Sequence, residues 1–148
     1  ISGGTKNNVI PESAAAVVDV RVTELSEVQR IEELFKHLPD QTYEEGVAVE
    51  VVGGLNRPPM VPSEKTLLLW DQIAEIGTRL GIEMKWTVTG GGSDGNFTAA
   101  LGIPTIDGLG PIGGAAHSPD EYIELDSIIP KIQLLCHVCL ACAEGKLV

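Results

Sequence analysis

The stretch from Thr87 to Tyr122, TVTGGGSDGNFTAALGIPTIDGLGPIGGAAHSPDEY, joins two glycine-rich loops to one histidine, His117. Gly90-Gly91-Gly92 follows a β-prone segment, Lys85-Trp86-Thr87-Val88. Glycine has no Cβ, so the amides of such a run, around Gly91, Gly92 and Ser93, can come close to a ligand. Asp94 or Ser93 can cap a helix that starts near Gly95. Strand, glycine loop and helix N-terminus in that order suit an anion or an oxyanion. His117 lies between Gly113-Gly114-Ala115-Ala116 and the turn Ser118-Pro119-Asp120-Glu121. Small neighbours and an acidic turn favour a functional imidazole; the other reading is a surface histidine between turns. Arg21, in the alternating run Val18-Asp19-Val20-Arg21-Val22, fixes a planar, permanently charged fork shaped for a carboxylate. Its other reading is a solvated strand residue or a partner of Asp19.

GGGSDGNFTAALGIPTIDGLGP, followed by GGAAHSPDEYIEL, closely resembles the C-terminal part of a zinc-dependent exopeptidase and deacylase family. That family includes glutamate carboxypeptidase, acetylornithine deacetylase, succinyl-diaminopimelate desuccinylase and aminoacylase. The resemblance implies that His117 is a ligand to one of two zinc ions. It extends upstream, where GGTKNNVIPESAAAVVDVRV is similar to the "N-I-P … D-x-R" segment of the family's lid, or dimerisation, domain. That implies substrate-carboxylate contacts from Asn8 and Arg21, with Asn7 the less favoured neighbour.

The resemblance covers nearly the whole chain but only the C-terminal half of a typical member. The His-x-Asp segment, the Glu-Glu pair with the general base, a further acidic ligand and the lid histidine have no counterpart here. No catalytic base is therefore expected in this chain, and His117 is at most one zinc ligand. Zinc chemistry needs about three protein ligands per ion and a base beside the bound water. For an intact protein the resemblance implies a di-zinc hydrolase of an amide or peptide bond next to a terminal carboxylate. Its substrate would be a small peptide or an N-acyl amino acid, and the missing N-terminal half its partner. Gly91, Gly92 and Ser93 would then hold the substrate with Asn8 and Arg21, while Asp94 and Glu121 order the loops and Arg57 pairs with one of them. The alternatives are an N-acyl-amino-acid deacylase and a non-catalytic binding or dimerisation module.

The elements that must position these residues follow from pattern. Ala14 to Val22 and Val47 to Val52 alternate as strands. Between them a helix begins at Ser26, carries Val28, Ile31, Leu34, Phe35 and Leu38 at helical spacing, and ends at Pro39-Asp40. Strand, helix, strand is half of a ferredoxin-like βαββαβ unit, and the lid resemblance implies a homodimer through it. Paired prolines in Leu55-Asn56-Arg57-Pro58-Pro59-Met60 mark a boundary, giving a partial lid over 1–56 and the C-terminal part of a catalytic domain over 57–148. Ser63 caps a helix with Leu69, Ile73, Ile76 and Leu80 on one face, ending at Gly81. Strands are expected over 84–89 and 104–107, and a last helix over Ile128 to Ala143, beginning near Pro130. The class is α/β, with a site at the carboxyl edge of the sheet.

Composition bounds the rest. The 148 residues, 43% apolar and 21% charged, can fold around a core. The opening Ile1-Ser2-Gly3-Gly4 has neither an initiator methionine nor a signal-peptide pattern, so an excerpt of a longer protein is expected. A net charge of −11 argues against nucleic acid and anionic membranes. No apolar run is read as approaching the roughly 20 residues of a bilayer span. Cys136, Cys139 and Cys142 step about 300° apart on a helix, so they are expected to pack its apolar surface rather than bind metal. Three cysteines without a pairing pattern favour a reducing compartment, hence the cytoplasm.

Overall fold

The computed structural model describes residues 1–41 and 43–148. Its elements, in chain order, are β1 (Ser2–Gly3), β2 (Ala14–Ala15), α1 (Leu25–His37), a 3-10 turn over Leu38–Asp40, α2 (Glu64–Arg79), α3 (Gly95–Ala100), β3 (Gly113–Gly114), β4 (Tyr122–Ile123) and α4 (Leu125–Ala143). Helices dominate, and the sheet content is two antiparallel ribbons, β1 with β2 and β3 with β4.

The core is the seam between α2 and α4. Ser63 Oγ accepts from the Thr66 N–H at 3.2 Å and so satisfies a donor that the first turn of α2 leaves over. The helical period then turns Ile73 and Ile76 inward, where Leu134 of α4 meets them with no exposed surface. Leu69, Leu80, Ile82, Met84, Ile106, Leu109 and Val138 surround this cluster. Gly77 is needed there, because a Cβ on it would lie 2.6 Å from Met84 Cγ. Gly81, at φ +71°, turns the chain out of α2. Trp86 packs edge-on against Trp70 with ring centroids 5.4 Å apart, laying the segment before the glycine loop on α2.

α4 begins at Leu125, so Pro130 lies inside the helix rather than near its start. The earlier start has a local cause. Ser127 Oγ donates to Glu124 O at 2.6 Å and accepts from the Ile112 N–H at 2.9 Å, and the Glu124 N–H reaches Ile112 O at 2.8 Å. These bonds pin the first turn to residue 112 before Pro130 removes one helical donor. By length and composition alone α4 could cross a bilayer, contrary to the reading that no apolar run is long enough. Cys136, Cys139 and Cys142 are exposed, not packed, because the face carrying Ser127, Leu134, Val138 and Ala141 takes the seam with α2.

The expected strands form only in part. Of Ala14 to Val22, Ala14–Ala15 alone is in a ladder, with Ser2 opposite Ala15 and Gly3 opposite Ala14. Among the described residues, 47–52, 84–89 and 104–107 belong to no strand. Alternation shows which face a segment would bury, but a strand exists only where a second backbone takes its hydrogen bonds. Val18 and Val52 are accordingly exposed. The architecture is mixed helix and small sheet; a four-stranded lid sheet is not assembled among the described residues.

Two measurements check this account. Leu134→Ala should cost about 2–5 kcal/mol in urea unfolding, whereas Leu140→Ala, on the exposed side of α4, should stay within about 0.5 kcal/mol. In α1, Arg30 donates to Glu27 Oε2 at 2.8 and 3.0 Å, and this hydrogen bond holds the Glu27 carboxyl below the ordinary carboxylate range. A depressed folded pKa stabilises above the unfolded value and is lost as pH falls through the folded one. Arg30→Ala should therefore move the Glu27 titration, followed by NMR, upward.

Candidate substrate-binding site

The glycine loop is ordered by its own side chains. Thr89 Oγ1 accepts from the Gly91 N–H at 3.2 Å. Ser93 Oγ accepts from the Gly95 N–H at 3.0 Å, while Asn96 Oδ1 accepts from the Ser93 N–H at 2.9 Å. Ser93, not Asp94, is thus the residue whose side chain closes the start of α3; Asp94 occupies the N-cap position without a side-chain cap bond. The Gly91 and Ser93 amides are already engaged. Among the described residues the Gly90, Gly92 and Asp94 N–H groups have no hydrogen-bond partner and stay open to an anion.

Two arginines flank this loop. Arg21 Nη1 donates to the Gly90 carbonyl at 3.0 Å, across 69 positions of sequence. Its Nε and Nη2 both donate to Asp19 Oδ2, at 3.3 and 3.0 Å, because residues two apart in an extended segment share a face. This is the Asp19-partner reading of Arg21, in an extended segment outside any strand. On the other side, Arg57 Nη1 donates to Asp94 Oδ1 at 2.9 Å, and its guanidinium lies 5.0 Å above the Phe97 ring. Arg57 Cδ would stand 3.1 Å from a Cβ on Gly92, so the missing side chain admits the arginine stem. Asn96 Nδ2 completes the clasp by donating to Pro58 O at 2.8 Å. The paired prolines are thereby fastened to the loop that follows α2.

Asn8 makes no hydrogen bond to this site among the described residues. It lies in an exposed turn after β1, and among the described residues no hydrogen bond joins it or Asn7 to Arg21 or to the loop. His117 is placed by a feature that sequence reasoning missed, the β3–β4 hairpin, whose register sets Gly114 opposite Tyr122. A Cβ on Gly113 would run into the Tyr122 backbone carbonyl, so that glycine is the packing requirement, whereas one on Gly114 would meet only the exposed end of the Tyr122 ring; the signal lay in the Gly-Gly pair before a distant tyrosine. At the hairpin tip Ala115 and His117 have φ of +54° and +66°, a left-handed conformation uncommon outside glycine. Ser118 Oγ donates to Ala115 O at 2.8 Å and Glu121 Oε2 accepts from the His117 N–H at 3.3 Å. Glu121 thus orders the loop through its backbone.

Among the described residues no group of three or more histidine, cysteine, aspartate or glutamate side chains is arranged to hold a metal ion. The residues present do not by themselves make a zinc site, and no chemical step through a metal is derived from them. What the arrangement offers an anion is the Arg21 guanidinium, bonded to the Gly90 carbonyl at the edge of a loop with unpartnered amides.

Comparison with known proteins places this geometry in context. The sequence pattern of the family described as "Peptidase family M20/M25/M40" matches residues 6–141. Carboxypeptidase G2 of Pseudomonas sp. (strain RS-16) is 28% identical over 148 residues, which is 97% of this chain and 35% of that protein. Succinyl-diaminopimelate desuccinylase of Stutzerimonas stutzeri (strain A1501) is 30% identical over 123 residues, 82% of this chain and 31% of the relative. The corresponding desuccinylase of Methylococcus capsulatus is 26% identical over 127 residues, 86% of this chain and 32% of the relative. The chain therefore spans about a third of the length of the curated relatives it matches. No solved structure matches it.

The arginine clasp gives a graded expectation. Arg57→Ala removes both an exposed ion pair and a cation–π contact and should cost about 1 kcal/mol in denaturant unfolding. Asp94→Ala removes only the ion pair and should cost less, about 0.5 kcal/mol or under. Equal losses would show that the Phe97 contact contributes nothing.

Proposed function

This chain belongs to the M20/M25/M40 peptidase family, and on that premise we propose that it is the substrate-carboxylate-binding part of a metal-dependent hydrolase of peptide or N-acyl-amino-acid bonds. The observation that carries the reading is the Arg21–Gly90 contact, which joins a carboxylate-shaped guanidinium to a glycine loop 69 residues away. The relatives are named carboxypeptidase and desuccinylase, and the hydrolysis of an amide proposed here frees one carboxylate and one amine. A site that grips a terminal carboxylate beside the scissile bond serves either.

Within this chain the division of labour is as follows. Arg21 binds and orients the substrate carboxylate, and the Gly92 amide donates a second hydrogen bond to it. Ser93 and Asn96 keep the loop in the shape that leaves Gly92 available. Arg57, clasped on Asp94 and Phe97, holds the linker against that loop. His117, raised on the β3–β4 hairpin, is proposed as one zinc ligand, with the remaining ligands and the general base supplied by parts of the protein outside these residues. The carboxypeptidase reading is placed before the deacylase one because carboxypeptidase G2 is matched over 97% of this chain; Arg21 serves both.

The test is made on the complete protein that carries these residues. Arg21→Ala should raise KM for a carboxylate-bearing substrate roughly ten- to hundredfold, as expected for a lost charged hydrogen bond, and an unchanged kcat/KM sinks the assignment. His117→Ala should lower bound zinc, measured by elemental analysis, together with turnover. A variant that keeps full metal and full activity refutes the ligand role. A complete protein with neither zinc nor hydrolysis would leave a binding module.

A further inference from the structure

We infer that Asp19 is a positioning residue for the carboxylate site, orienting Arg21 so that the far end of its fork faces an incoming anion. The inference rests on the reading of Arg21 given above. A guanidinium has five N–H donors. Asp19 Oδ2 takes Nε–H and one Nη2–H, and the Gly90 carbonyl takes one Nη1–H. A Cβ built on Gly90 would stand 3.6 Å from Nη1 and 3.9 Å from Cδ, so Gly90 lies on the edge away from Nη2. The two donors that remain, one on each terminal nitrogen, therefore point the same way, which is the end-on pair that receives a carboxylate bidentately.

Neither clamp is strong alone. The Arg21 and Asp19 side chains are 67% and 68% exposed, and an exposed ion pair adds little to stability. Its contribution here is to orientation. A free arginine must surrender rotamer freedom on binding an anion, whereas one already held at Nε, Nη2 and Nη1 has surrendered it beforehand. The Asp19 charge opposes an incoming carboxylate, so positioning and simple electrostatics predict opposite signs when Asp19 is removed.

The experiment titrates the isotope-labelled 148-residue chain with N-acetyl-L-alanine, following the Arg21 Nε–H and the Gly92 amide by NMR. N-acetyl-L-alaninamide, which has no carboxylate, is the control. The wild-type chain should respond to the acid and not to the amide. Asp19→Ala should weaken binding roughly three- to tenfold with the rest of the spectrum unchanged, and Asp19→Asn, which keeps the acceptor oxygen, should recover part of the loss. Arg21→Ala should abolish the Gly92 response, with no further effect of Asp19→Ala in the double variant. Equal or tighter binding by Asp19→Ala would overturn the positioning role while leaving the Arg21 reading intact. Absence of any wild-type response, or an equal response to the amide, would overturn both.

Discussion

The packing of α2 on α4 hangs on the meeting of Leu134 with Ile73 and Ile76. These three are the buried apolar cluster of that seam, and the approaches to both loops are attached to it. Met84 and Trp86 lay the approach to the glycine loop on α2; Ile106 and Leu109 lay the next extended segment beside it. The β3–β4 hairpin is tied to the start of α4 through Ser127 and Ile112. The glycine loop and the histidine loop are thus held by opposite partners of one helix pair. Loss of that seam would separate them before it touched either loop.

The seam is also small for the surface around it. α4 is apolar on the face turned to α2 and again on the side bearing Leu125, Ile129 and Ile132, which is exposed. A helix apolar on two faces is suited to a place between layers. The same holds for the stretches 47–52 and 84–89, whose β-branched side chains find no second backbone among the described residues to complete a ladder. Both features agree with a chain that spans about a third of its relatives. They explain why a sequence patterned for α/β architecture presents chiefly helices.

What was legible in the sequence was local. Ser63 with its helical apolar stripe announced α2, and the ending at Gly81 followed from its need for positive φ. Pro130 misled, because a proline marks a helix start only where no stronger anchor lies upstream, and Ser127 is such an anchor. The β3–β4 hairpin left no alternating pattern to read, its one strand being two glycines whose information is the absence of a side chain. Arg57 was legible as a partner for an acid, but not its stacking on Phe97. The family likeness set Arg21 beside the amides of Gly91, Gly92 and Ser93 at a substrate, but the direct bond from Arg21 to the Gly90 carbonyl was in neither the likeness nor the spacing. Asn8, implied by the likeness, sits in an exposed turn and makes no hydrogen bond to the loop among the described residues.

The Arg21–Gly90 hydrogen bond has a consequence in chain statistics. It closes a loop across 69 positions, and the entropy of such a closure grows only logarithmically with length. Doubling the intervening chain would cost about 0.6 kcal/mol. The exposed residues 43–55 could therefore lengthen, shorten or take on an inserted segment with little effect on how often the two halves of the anion site meet. The geometry at each end is what evolution must hold still; the distance along the chain between them is nearly free to drift.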